Sequence, residues 1–298
     1  MSSSSDLKLQ QLIDWNQAGL IPGPNEEDQK FHHRVNVIDA DSDWLRALFM
    51  PPFDYIEESS MNEATFLCKE LFDFIPEQVP CVYSSKSLWP WEAGATWILE
   101  DDTRTYAAIQ LHPSFKTGRH FFGLYQQKEV LAHELIHLAR QGFTESNYEE
   151  FFAYQSSSSI FRKFLGPLFS SSRESVLFLF SCLLPLLSVF LGFILEIEIP
   201  IASTVLLFAL PLSLFAFLGT RVWVLFRRYQ KCIKQLSEIC KSENKARYIA
   251  FRLSDQEISD FASWKSKKIL TYIKEQVAIS LRWRMITAAY LKNPNHTV

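Results

Sequence analysis

Two stretches without a single charged residue, 176–195 and 201–220, constrain this chain more than any other feature. At about 1.5 Å per residue each makes about 30 Å of helix, the hydrocarbon thickness of a bilayer. They predict two spanning helices joined by the short acidic loop Glu196-Ile197-Glu198-Ile199-Pro200. Arg162, Lys163 and Arg173 precede the pair, and Arg221, Arg227, Arg228, Lys231 and Lys234 follow it. Basic flanks stay on the cytoplasmic side, so the pattern predicts a multi-pass protein of the inner, cytoplasmic membrane. Its N- and C-terminal parts are then cytoplasmic and the acidic loop lies outside. Pro185 and Pro211 sit inside the runs, and spanning helices absorb such kinks better than soluble ones. The alternative is a pair of buried core helices, but a chain of 298 residues rarely buries two charge-free helices of this length.

The remainder reads as folded protein, since 48% hydrophobic residues are enough for a core. A net charge of −3 and the lack of a basic run interleaved with aromatics point away from nucleic acid as a partner. Cys68, Cys81, Cys182, Cys232 and Cys240 form no C-x-x-C pair, which predicts reduced thiols packed as small apolar side chains. Residues 1–10 lack the basic-then-apolar order of a secretory signal.

Ahead of the membrane runs the pattern is mixed. Ser60-Met61-Asn62-Glu63 fits a capping box, and Leu67, Leu71 and Phe74 recur at helical spacing until Pro76. Strand-like runs follow at 79–84, 96–99 and 106–111, the last two flanking a polar turn as a hairpin would. The strand at 106–111 is either an edge on which an extended peptide pairs or an internal strand. Residues 227–247 and 254–291 read as basic helices that lie near the anionic leaflet or pack on the preceding part.

His133-Glu134-Leu135-Ile136-His137 is the motif with chemistry in it. Residues i and i+4 share a helix face, so both imidazoles can reach one ion while the intervening Glu points at its water. Leu131, Leu135 and Leu138 make a second, apolar face. Zinc needs a third protein ligand if a fourth position is to stay open. The pattern H-E-x-x-H-x-x-G-x-x-H is excluded, because Arg140 stands at its Gly and Phe143 at its third His. A Glu from a following helix remains. Gly142 is a natural stop for the first helix, and Ser146-x-x-Glu149 is a capping box that would start the next. If Glu149 folds back on the cap, Glu150 faces the metal; a cap shifted by one residue would put Glu149 there instead. Tyr148, Tyr154, His112 and His120 are candidate donors to a developing oxyanion. His32-His33 has no partner at ligand spacing and reads as surface.

His-Glu-Leu-Ile-His followed by a glutamate-bearing helix resembles the gluzincin group of zinc metallopeptidases. Glu150-Phe151-Phe152-Ala153 is similar to the ligand helix of the lethal-factor-like toxins. Glu-x-x-Ala also resembles that of membrane-embedded peptidases reading Glu-x-x-Ala-Asp, with Tyr154 here in place of the Asp. The likeness spans residues 106–154. With the pattern along the rest of the chain, the expected architecture is α+β: an N-terminal segment (1–59), a small zincin-like metallopeptidase domain (60–160), a transmembrane hairpin (174–222) and a cytoplasmic helical tail (223–298). The likeness implies a peptidase of the zinc-dependent kind. It implies Zn2+ held by His133, His137 and Glu150, with Glu134 as the catalytic base that takes a proton from the activated water. The expected activity is hydrolysis of peptide bonds in a protein or peptide substrate, by an enzyme whose other partner is membrane lipid. The rival expectations are a non-catalytic membrane scaffold or metal-sensing regulator, and a zinc hydrolase of a non-peptide amide.

Overall fold

The computed structural model describes residues 4–35, 48–49, 52–76, 79–100, 105–118, 120–144, 147–196 and 200–291. The chain is predominantly helical with two small sheets. It begins with α1 (Ser4–Gln17) and α2 (Asp28–Val35), where His32 and His33 are exposed. Next comes α3 (Glu58–Phe72), which buries Ala64, Cys68 and Phe72 at one-turn spacing. It starts at Glu58, ahead of the Ser60 box expected from sequence, with Glu57 at the cap and no side-chain cap bond. It ends before Pro76, where Asp73 turns left-handed and its N–H bonds the Lys69 carbonyl.

Strands β1 (Cys81–Tyr83), β2 (Gly94–Glu100) and β3 (Thr105–Leu111) form a sheet in the order β1-β3-β2. The expected hairpin is present as the antiparallel β2–β3 pair, whose turn at 101–104 lies outside the described residues. Of the two roles open to the strand at 106–111, it takes the internal one: β3 lies between its neighbours, and β2 has one described partner. A small hairpin, β4 (His120–Phe121) and β5 (Tyr125–Gln126), then leads directly into α4 (Gln127–Ala139). Leu131, Leu135 and Leu138 are buried on α4, which packs on α3 and lies across the sheet. Gly94 permits that approach, since a Cβ there would meet Leu111, the Gln110 carbonyl and Val130 at 2.9 to 3.1 Å.

The first helix of the motif ends at Ala139, three residues before Gly142. Gly142 serves instead in a close backbone crossing, where its carbonyl sits against Gly23. The short helix α5 (Glu149–Ala153) follows, capped by Tyr148 with no side-chain bond, while Ser146 lies outside the described residues. A 3-10 turn leads to α6 (Ile160–Leu165), capped by the Ser159 hydroxyl accepting from the Arg162 N–H.

Two helices are long and apolar enough to cross a membrane: α7 (Ser172–Ile194) and α8 (Ile201–Cys240), containing Pro185 and Pro211. The loop between them is described at Leu195, Glu196 and Pro200. Their most apolar windows are only 11% and 6% buried within the protein, which is the reverse of a core helix. The same α8 continues past Arg221, and there it buries Leu225, Tyr229, Cys232, Ile233 and Leu236 along one stripe. Four helices pack around it and the preceding part of the chain: α9 (Glu243–Phe251), α10 (Asp255–Ser263), α11 (Ser266–Ile279) and α12 (Leu281–Tyr290). The basic C-terminal stretch thus packs on the preceding part, the second of its two expected placements. One hydrophobic core runs from Ile21 through Leu135 and Phe152 to Tyr229, Phe251 and Trp283. Phe251 stacks on Phe72 at 4.2 Å and meets Phe152 edge-on at 5.4 Å.

Candidate metal centre

The centre is built where α4 and α5 meet. His133 and His137 sit one turn apart on α4, and their Nε2 atoms are 3.2 Å apart. Glu150, on the first turn of α5, brings its carboxylate oxygens to 3.6 Å from each of those nitrogens. One donor atom from each of the three residues lies within 4.8 Å of the other two. Ligands about 2.0–2.1 Å from a tetrahedral zinc lie about 3.3 Å from one another, so this donor set fits such an ion in spacing as well as in chemistry. Among the described residues, this is the one group of three or more His, Cys, Asp and Glu side chains able to hold a metal.

Glu149 does not fold back as a cap. Its Oε1 accepts from Arg140 Nε at 2.7 Å, and its Oε2 lies 3.6 Å from His137 Nδ1, the ring nitrogen facing away from His133. Arg140 is fully buried between the Phe143, Phe152 and Phe251 rings and also donates to the Phe251 carbonyl. On the other imidazole, the Ala153 carbonyl accepts from the His133 ring. Each histidine is therefore oriented from behind by a different group of the α5 segment.

Glu134 faces the same cleft from α4. Its Oε2 accepts a 2.7 Å hydrogen bond from the Thr96 hydroxyl on β2. Burial raises the Glu134 carboxyl above its ordinary value, with His137 and Thr96 opposing and Glu150 adding to the rise. Burial likewise raises Glu150. Burial alone would lower His137, but the Glu149 contact and the charges of Glu150 and Glu134 outweigh it and lift the imidazole to about 9. His133 is held well below its usual range, by burial first and by the neighbouring His137 second.

The cleft has a volume of about 420 Å³, and its walls include Trp91, Ala93, Gly94, Tyr125, Tyr154 and Arg162. Of the four candidate oxyanion donors, Tyr154 lies in it, with its ring 4.8 Å from that of His133. Tyr148 is buried and donates to the Leu225 carbonyl at 3.2 Å. His112 Nδ1 caps a 3-10 turn by accepting from the Ser114 N–H, and His120 is exposed on β4. Sequence reasoning missed Thr96 and the Arg140–Glu149 pair. No local spacing announces Thr96, and Arg140 drew notice only as the residue replacing a glycine.

Compared with protein-family models, curated proteins and solved structures, the chain matches none.

Proposed function

We propose that this protein is a membrane-anchored, zinc-dependent endopeptidase built on a small zincin-like unit. The observation that carries the reading is the convergence of His133, His137 and Glu150 beside Glu134 in one open cleft. Zinc held by the three supplies a Lewis acid that makes water a nucleophile near neutral pH and polarises a carbonyl. Glu134 takes up the proton released as water attacks and returns it to the leaving amine. A carboxyl raised by burial suits both steps better than one of ordinary acidity. Thr96 fixes which way that carboxylate points. Tyr154 is the side chain placed to donate to the developing oxyanion. The side of β2 that has no strand partner among the described residues starts near Ala93 and Gly94 in the cleft wall, where an extended peptide backbone could pair with it. By the positive flanks, α7 and α8 cross the cytoplasmic membrane with the cleft on the cytoplasmic side.

The test separates metal binding from hydrolysis. Glu134→Gln keeps the ligands and removes the base, so it should purify with about one zinc per chain and lose nearly all peptidase activity. His137→Ala should lose both. Metal content is read by mass spectrometry, and activity on an unstructured protein substrate in detergent. A wild type that carries no zinc, or a Glu134→Gln variant as fast as wild type, would overturn the enzyme reading in favour of a scaffold.

A further inference from the structure

The cleft has a defined height relative to the apolar half of α8. Arg221 marks the end of that half: its guanidinium pairs with Glu174 at the foot of α7 and donates to the Leu168 carbonyl at 2.8 Å. This layer of paired charge ends both apolar runs, so it sits where hydrocarbon gives way to headgroups. Tyr148 bonds the carbonyl of Leu225, and Phe151 meets Tyr229 at a ring distance of 5.0 Å. Leu225 and Tyr229 are four and eight residues past Arg221, or about 6 and 12 Å along the helix. The metal-ligand helix α5 is therefore docked just beneath the membrane surface, and the unbroken α8 holds it there.

The segment that follows α5 and the neighbouring hairpin tip expose a patch that a soluble surface would cover. On α6, Ile160 is 85% and Phe161 72% exposed. On the adjoining β4–β5 tip, Phe122 is 69% and Leu124 66% exposed. Arg162 ties the two together by donating to the Leu124 carbonyl at 2.6 Å, and Arg162 itself lines the cleft. Phe122 is held at a φ of 49°, a left-handed conformation that a bulky side chain adopts only under constraint. The chain from α6 runs straight into Leu168, which packs on Leu218 and Val222 at the level of Arg221.

We propose that Ile160, Phe161, Phe122 and Leu124 are seated in the cytoplasmic interface of the bilayer. The mouth of the cleft then opens on the lipid surface, and its substrate is the juxtamembrane segment of a membrane-inserted polypeptide. The docking follows from the patch and its continuity with the spans; the substrate class rests in addition on the peptidase reading. The seated side chains fix the cleft's tilt, so a peptide leaving the bilayer enters along β2 while a freely diffusing one gains nothing from it.

The experiment uses the full chain in nanodiscs of equal parts phosphatidylcholine and phosphatidylglycerol. An environment-sensitive fluorescent amino acid replaces Phe161 or, as the distant control, Lys267. Lys267 is exposed and lies beside Ser266, whose hydroxyl donates to Glu238, well beyond Arg221 on α8. Emission at position 161 should be blue-shifted and quenched by lipid-borne nitroxides, and that at 267 should not. Equal behaviour at the two positions overturns the docking. In the second arm, Ile160→Glu with Phe161→Glu should slow cleavage of a membrane-anchored reporter about tenfold or more while the same sequence as a soluble peptide is cut at the wild-type rate. Equal loss on both, or loss on neither, overturns the substrate class. Wild type that cuts neither reporter while position 161 remains quenched overturns the peptidase reading and leaves the docking standing.

Discussion

Glu149 joins Arg140 to His137: one carboxylate oxygen accepts from Arg140 Nε at 2.7 Å and the other lies 3.6 Å from His137 Nδ1. Arg140 in turn donates to the Phe251 carbonyl, so the C-terminal helices reach the metal centre through two side chains. Residues that orient a metal-bound imidazole affect affinity without touching the ion, commonly by about 10- to 100-fold. Glu149→Ala should therefore weaken zinc by that range, measured by competition with a chelator, and should fall short of the complete loss given by His137→Ala. Unchanged affinity would reduce Glu149 to a packing partner of Arg140.

Thr96 touches Glu134 and none of the three candidate ligands, so under the proposed mechanism its loss should affect the base and not the metal. Thr96→Val keeps the shape of the side chain and removes the donor to Glu134 Oε2. A hydrogen bond to a charged group contributes about 1.5–3 kcal/mol, which corresponds to a fall in kcat of about 10- to 100-fold if the bond holds the reactive orientation. Zinc content should stay at the wild-type level. A variant that loses zinc as well would place Thr96 among the supports of the ligands.

Glu257 supplies a pH-dependent part of the stability. It is buried and accepts from both terminal nitrogens of Arg282, from the Trp283 indole, from the Tyr272 hydroxyl and from the Ser254 N–H. Burial alone would raise this carboxyl, but the Arg282 charge and these hydrogen bonds outweigh it and hold it below its ordinary value. The folded pKa lies under the unfolded one of about 4.3, so the stabilisation is complete above that pH and is lost as pH falls through the folded value. Glu257→Gln should lower stability at neutral pH by about 3–5 kcal/mol, because it strands the buried Arg282. It should also flatten the acid limb of thermal unfolding followed in detergent. An acid limb as steep as the wild type's would assign that limb to other carboxyls.

Topology can be read independently of chemistry. Reporters fused to either end of the chain should both report cytoplasm, given the Arg and Lys residues that flank the hairpin. A signal from the outer side at either end would put the cleft on the other face of the membrane and change where substrate is met.

Periodicity and spacing were enough to read the two apolar helices, the β2–β3 hairpin and the pairing of His133 with His137, because each is written within a few turns of one element. Glu150 was also within reach, since it lies just past the turn that follows the motif. The length of α8 was not. Nothing in the run of residues at Arg221 says whether the helix stops at the end of its apolar stretch or continues, and it continues because Leu225, Tyr229 and Leu236 find a core to enter. Thr96 is 38 residues from Glu134, and Arg140 is 111 from the Phe251 carbonyl. Such pairs are chosen by which surfaces pack, and many threonines and arginines satisfy the local pattern equally well. The sequence alone determined which side chains can meet at the candidate metal centre, through their types and their helical phase. The tertiary structure decided which groups aim them and where along α8 they stand, because only packing brings distant segments into hydrogen-bonding distance and sets one rigid helix as the ruler between them.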